Sequence, residues 1–342
     1  MTAEPIPDPH AGNAERYERI RELSDASIVH CYLANDRVTG NKVILREVPK
    51  QLFREGSFQR LKNEARLTSS VRCDTYSRPL SFDVCEDTLR VAYAYFEGES
   101  LSSRFRRCPL EPCEAVSLAR DLLTALEKVH SIGCIHRDLR PSNIIMRPDG
   151  RAVLCGYVPL WCPDMFSHDD RLARECASYT SPELSGIIDH DISEASDLYS
   201  VGHVLHAALS GAPAFDGDVS EVLYQHMTAD LDPGRYRPDT PEVLIRFIEK
   251  LASKEPRERY QCTRAALHDV GELERFLSSN QATPDFIIGS ADRRTELIDP
   301  AFVGREEQMR VLQQALDQTH KGRSTQLMMA SESGMGKTRL LV

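Results

Sequence analysis

Apolar positions recur at helical spacing through the second half of the chain. Ala119, Leu122, Leu123 and Leu126 fall at i, i+3, i+4, i+7. So do Val201, Val204, Leu205 and Ala208, and again Leu244, Phe247, Ile248 and Leu251. Each set predicts a helix with one core-facing stripe. The first part reads differently. From Tyr17 to Val48 the pattern is of extended segments joined by turns, with Asn35 to Asn41 a turn cluster between two of them. A helix is predicted from Ser57 to Arg72, with Phe58, Leu61 and Ala65 on one face. Thr88 to Phe96, rich in Val, Tyr and Phe, predicts a strand that Gly98-Glu99-Ser100 breaks. Strands first and helices afterwards predict an α+β protein, not alternating βα units. About Ser278 to Pro300 lacks periodicity and reads as a linker. Beyond it Met309, Leu312 and Leu316 share a helix face, and Gln326 to Ala330 is a short apolar strand.

Composition narrows the classes. The chain has 342 residues, is 41% hydrophobic and carries a formal net charge of −10. That charge argues against general binding to nucleic acid or an acidic membrane, since both are polyanions. No run approaches the roughly 18 apolar residues of a membrane span. Met1 to Asn13 is polar and holds Pro5, Pro7 and Pro9. It lacks the apolar core of a signal peptide, so residues 1–16 are expected to be a disordered arm and the protein cytoplasmic. The ten cysteines include no C-x-x-C pair. Cys108 and Cys113 come nearest, and all are read as reduced thiols, not as zinc ligands.

The chemistry-bearing residues form an ordered series. His136-Arg137-Asp138-Leu139-Arg140-Pro141-Ser142-Asn143 fits H-R-D-L-x-x-x-N. Further on come Tyr179-Thr180-Ser181-Pro182-Glu183, Asp197-Leu198-Tyr199-Ser200-Val201-Gly202, Ser210-Gly211-Ala212-Pro213-Ala214-Phe215, and Arg259 after Lys254-Glu255-Pro256-Arg257. Together these resemble a eukaryotic-type protein kinase domain of the Ser/Thr branch, over residues 17–278. A small-molecule phosphotransferase of kinase-like fold would share the H-x-D and the downstream Asn, but not the later motifs.

The resemblance implies a two-lobed fold. A β-rich N-lobe would occupy 17–93, a hinge 94–98 and a helical C-lobe 99–278. Asp138 would be the catalytic base and Asn143 a metal ligand. Arg140 stands where these kinases use a Lys against the γ-phosphate. His136 would pack as a structural residue, and Arg137 would receive an activation-segment phosphate. Asp197 would hold the catalytic-loop backbone, and Arg259 would pair with Glu183. Adenine would lie at Ala94 and Phe96, with Tyr93 as gatekeeper and Ile44 opposite narrowing the pocket.

The nucleotide-handling elements depart from the family pattern. The glycine-loop positions fall at Ser24, Ala26 and Val29, so the close backbone approach that glycine allows is lost. The strand Lys becomes Arg46, a swap that changes reach and donor geometry. Arg46 is expected to pair with Glu64, with or without nucleotide. Thirteen residues after Asn143, Gly156-Tyr157-Val158 stands where D-F-G belongs. The second metal-ligand position is therefore Gly156, without a carboxylate, and about 10²–10⁴ in rate is at stake. Asp149 and Asp164 are the two candidates to replace it, Asp149 also reading as a turn residue. The expectation is a pseudokinase that binds ATP and Mg²⁺ weakly or not at all. It would act on protein partners or on its own downstream domains; the alternative is an active kinase with unusual metal use.

Residues 279–300 are expected to be the linker and 301–342 the start of a further domain. Ser331-Glu332-Ser333-Gly334-Met335-Gly336-Lys337-Thr338 nearly fits G-x-x-x-x-G-K-[ST]. Gly336, Lys337 and Thr338 would handle phosphates and Mg²⁺ there. Val303-Gly304-Arg305-Glu306 upstream resembles the opening of AAA/STAND-type ATPases, so the segment reads as a truncated P-loop start. The order resembles bacterial multidomain regulators in which a kinase-like domain precedes such an ATPase and sensor modules.

Overall fold

The computed structural model describes residues 16–23, 29–50, 55–85, 87–156, 170–188, 190–279 and 283–292, together with Arg310 and Gln318. The chain divides into two compact units, 1–292 and 293–342. The expected arm, most of the glycine-loop positions, Tyr157, Val158, Asp164 and the P-loop residues lie outside the described residues.

The first unit opens with β1 (Tyr17–Glu22), β2 (His30–Asp36) and β3 (Lys42–Pro49), the extended segments the sequence predicts. Helix α1 (Glu55–Thr68) follows, then β4 (Pro79–Cys85) and β5 (Thr88–Ala94). The five strands form one antiparallel sheet in the order β1-β2-β3-β5-β4. The predicted turn cluster is built around Asp36, which is buried. Its carboxylate accepts from the Val38 amide and the Thr39 hydroxyl, both at 3.0 Å. Arg16 donates to both of its oxygens, and that bond holds the carboxyl below its usual range. Gly40, at φ +71°, closes the turn.

Helix α1 ends at Thr68, not at Arg72 as the periodicity predicts. Ser69 and Ser70 turn their hydroxyls back onto the Arg66 and Leu67 carbonyls, both at 2.7 Å. Such bonds compete with helix continuation. Strand β4 was not anticipated at all.

The C-lobe carries β6 (Glu99–Ser100), α2 (Leu101–Arg107), α3 (Pro112–His130), β7 (Ile144–Met146), β8 (Ala152–Leu154), α4 (Asp170–Ala177), α5 (Glu194–Ser210), α6 (Val219–Thr228), α7 (Glu242–Leu251) and α8 (Thr263–Ser278). The three predicted stripes fall on α3, α5 and α7, and all their residues are buried in one core cluster. Helix α5 is enclosed on every side: each residue from Ala195 to Leu209 is buried. Gly211, at φ +83°, caps it by donating to the Ala207 carbonyl, a geometry glycine adopts without a Cβ clash. Among the described residues no helix is long and apolar enough to cross a membrane.

Part of the stretch read as a linker is packed. Phe286 and Ile288 lie against the C-lobe core. The Gly289 amide donates to Asp269 at 2.5 Å, and the Gln261 amide to Asp292 at 3.1 Å. Lys250 stands 3.6 Å from Asp292. Periodicity could not reveal this, because one turn anchored by two apolar side chains has no period. Ending the chain after Ser279 instead of Asp292 is expected to lower its stability by roughly 2–3 kcal/mol, from the partial burial of two apolar side chains and two lost hydrogen bonds, offset by the freed chain entropy. Thermal melts of the two truncations measure this; equal melting temperatures would mean the segment contributes nothing.

Candidate active site

Asp197, buried near the start of α5, organises the catalytic loop. Its Oδ2 accepts from the His136 amide and from His130 Nε2, both at 2.7 Å, and its Oδ1 accepts from the Arg137 amide at 2.8 Å. These bonds hold Arg137 at φ +61°, the one left-handed non-glycine among the described residues. Burial alone would raise the Asp197 carboxyl, but the His130 hydrogen bond and charge outweigh it and hold it low. His130, the last residue of α3, was missed by sequence reading, since it belongs to no motif. Burial would lower its pKa, but hydrogen bonds to Asp197 and Glu194 lift it to about 9. It is therefore an imidazolium at neutral pH and the counter-ion of Asp197. His136 behaves oppositely: burial pushes it down to about 4. It is neutral, with its backbone, not its ring, on Asp197.

The Asp138 carboxylate is enclosed by two guanidinium groups. Arg140 Nε donates to Oδ1 at 2.9 Å, and Arg46 Nη1 stands 3.8 Å from Oδ2. Burial raises the Asp138 pKa against the lowering pull of Arg140 and Arg46. Arg140 is itself buried and reaches across to Glu175 of α4 at 2.9 Å. The residue expected against a γ-phosphate is thus paired internally. A pocket beside the loop has Asp138 and Arg140 on one wall and Cys176, Tyr179 and Thr180 on the other. The Thr180 hydroxyl donates to the Cys176 carbonyl at 2.7 Å.

One expected pairing is corrected. Arg46 does not meet Glu64. Its Nη2 donates to Asn143 Oδ1 at 2.8 Å, which directs the side chain toward the catalytic loop. Glu64, on α1, instead bonds Arg137, and also Arg60 at 3.0 Å. Arg137 is therefore engaged by α1. The long arms of three arginines decide these partners, and spacing along the chain carries no signal for them.

Glu183 and Arg259 form a fully buried two-pronged pair at 2.6 and 3.1 Å. Burial would raise the Glu183 carboxyl, but Arg259 outweighs it and lowers it. Tyr93 is buried directly across the β3–β5 ladder from Ile44. The Ala94 carbonyl is taken by the Ser77 hydroxyl at 2.9 Å, and Phe96 is half-buried on the segment after β5. Asp149 is an exposed residue of the turn before β8, bonded to the Arg151 amide at 3.1 Å and paired with Arg147.

Among the described residues the donor set does not fit a bridging divalent metal. Asn143 Oδ1 accepts from Arg46, and Asn143 Nδ2 donates to the Asp138 carbonyl at 2.9 Å. Gly156, at φ +83°, supplies no carboxylate. An added Cβ there would lie 2.8 Å from Asn143 Oδ1 and 2.9 Å from Arg46 Nη1.

A sheet lobe over a helical lobe, with this loop between them, is matched by the family model described as protein kinase domain, over residues 17–270. The chain belongs to the protein kinase family. It is 28% identical over 288 residues to the serine/threonine-protein kinase pkn2 of Myxococcus xanthus, covering 80% of this chain and 34% of that protein. Against the serine/threonine-protein kinase PksC of Streptomyces coelicolor the figures are 27% over 294 residues, 81% and 51%. The chain thus spans about a third to a half of the length of these kinases. Among solved structures, a mutant of the Mycobacterium tuberculosis PknI kinase domain superposes with a TM-score of 0.62 at 17% identity, covering 76% of this chain and 96% of that one. That likeness establishes the shared kinase fold.

Proposed function

We propose that residues 17–278 are a Ser/Thr kinase-like signalling domain that is catalytically impaired and acts as a regulatory or docking module in the cytoplasm. The observation that carries this reading is the state of Asp138. A general base must reach the proton it abstracts, and this carboxylate is bonded by Arg140 and faced by Arg46, with no carboxylate at Gly156 to complete a metal site. ATP and Mg²⁺ are then weak ligands or none. The partners are other proteins or the segment following residue 300, for which the P-loop-like residues Gly336, Lys337 and Thr338 suggest an AAA/STAND-type ATPase start.

A second reading has one observation in its favour. Asp197 holds the His136 and Arg137 amides, so the loop that presents Asp138 and Asn143 is built and rigid. An active kinase with non-standard metal handling would need that. Mass spectrometry of the chain after incubation with ATP and Mg²⁺ or Mn²⁺, beside an Asp138→Asn control, separates the two. The expected result is no Asp138-dependent phosphate incorporation. Incorporation that vanishes in the control would establish the active enzyme instead.

A further inference from the structure

We infer that Arg46 is the resident cation of this cleft, standing where a kinase holds its bridging metal, and that Gly156 is glycine because the guanidinium needs the space. This rests on the reading of the cleft as impaired and says which residues impair it.

Three contacts place the charge. Arg46 Nη2 donates to Asn143 Oδ1 at 2.8 Å, the oxygen a metal would use. Nη1 faces Asp138 Oδ2 as an ion pair at 3.8 Å, and neither atom has a hydrogen bond among the described residues. Nη1 also lies 2.9 Å from the position a Cβ of residue 156 would take. A single guanidinium thus lies among Asp138, the expected base, and Asn143 and residue 156, the two positions expected to ligate the ion. The Arg46 side chain is 12% exposed and that of Asp138 5%, so the attraction is little screened. A divalent ion entering here would meet a fixed positive charge and a ligand oxygen already in use.

The backbone is set for the same arrangement. At φ +83°, residue 156 is in the left-handed region, where glycine carries no steric cost. A side chain there would press on Asn143 and Arg46 together. The loss of the carboxylate and the change of the strand Lys to Arg are therefore one coupled change. An aspartate at 156 alone does not restore a metal site, because its carboxylate would pair with the cation that replaced the metal.

Mn²⁺ binding, followed by the loss of its free electron paramagnetic resonance signal, tests this without reference to activity. The chain and Gly156→Asp are expected to show negligible binding. Gly156→Asp combined with Arg46→Ala is expected to bind at least tenfold more tightly than either single variant. Arg46→Ala alone is expected to melt lower than the parent chain and to regain part of the loss when Mn²⁺ is added, whereas the parent melts unchanged. This second readout decides the matter if the double variant does not fold. Mn²⁺ binding by the parent chain as tight as by the double variant overturns the inference, as does a folded double variant no better than the singles. So does an Arg46→Ala melt indifferent to Mn²⁺. A parent chain that binds Mn²⁺ but transfers no phosphate would overturn this inference alone and leave the impaired-kinase reading intact.

Discussion

Replacing Arg259 by alanine is expected to lower the unfolding free energy by about 3–5 kcal/mol, the cost of stranding a buried carboxylate. The guanidinium is wholly enclosed and uses each of its donor positions. Nη1 bonds Glu183 and the Ala195 carbonyl, Nη2 bonds Glu183 and the Lys254 carbonyl, and Nε bonds the Ser253 carbonyl. It also lies over the Tyr199 ring at 4.5 Å. It therefore ties the loop before α8 to the start of α5 and to the end of the activation segment. Lysine has three donors on a flexible stem and cannot reproduce a planar five-donor fork. Arg259→Lys is expected to recover only a minor part of the loss. Because Glu183 and Arg259 share one interaction, the double variant Glu183→Ala/Arg259→Ala should lose less than the two singles added together. Urea denaturation of the four chains measures all of this. A loss below about 1 kcal/mol in Arg259→Ala would mean that the pair is solvated, contrary to its burial.

Stability is expected to fall by about 4 kcal/mol between pH 7.5 and pH 5.5, a window in which few proteins change much. Four histidines are buried in neutral form. Burial holds His136 and His206 at about 4, His226 at about 3, and His203 well below its usual value. In the unfolded chain each titrates near 6.5. A folded pKa held below the unfolded one gives stability that is present above 6.5 and lost as pH falls toward the folded value. Each group then costs about 1.4 kcal/mol per pH unit below 6.5. His130 has the opposite sign. Its folded value of about 9 lies above the unfolded one, so its contribution is complete below 6.5 and disappears as pH rises through 9. Over the window it offsets about one of the four. The carboxylates of Glu183 and Asp197 are held low, and their loss adds only at still lower pH. Denaturation midpoints at pH 7.5, 6.5 and 5.5 give the slope, and His203→Leu should reduce it by one proton. A flat profile would show that these imidazoles are hydrated in the fold.

The sequence carried the C-lobe further than the N-lobe site. Asp197, Glu183 and Arg259 sit at fixed places in motifs, and each meets the partner its motif implies. Helices α3, α5 and α7 announced themselves through a 3.6-residue period that any buried stripe must show. Strand β4 alternates Leu80, Phe82 and Val84 with Ser81 and Asp83, but the phase is inverted: the polar Ser81 and Asp83 are buried and Val84 is exposed, so the pattern does not mark a core-facing apolar side. Strands of two and three residues, such as β6 and β7, are too short for any pattern. In the cleft, residue types were legible and pairings were not. Arg46, Arg137 and Arg140 are all cations within reach of Asp138, Glu64 or Glu175, and only three-dimensional placement sorts which takes which. His130 and Glu175 were overlooked for the same reason: their partners lie 67 and 35 residues away along the chain.

The complete enclosure of helix α5 has a consequence for how this chain can drift. An amphipathic helix offers mutation an exposed face on every turn, so its record of accepted changes is periodic. From Ala195 to Leu209 there is no such face. A polar or charged replacement anywhere along it must be desolvated, and a larger one must displace packed neighbours. The tolerated spectrum should therefore be a continuous conserved band and not a stripe. That band contains Asp197, whose role is to hold a catalytic loop. Even if phosphoryl transfer has ceased to be selected, the demands of packing alone would go on preserving the helix. The outward signature of a kinase can in this way outlast the chemistry it once served.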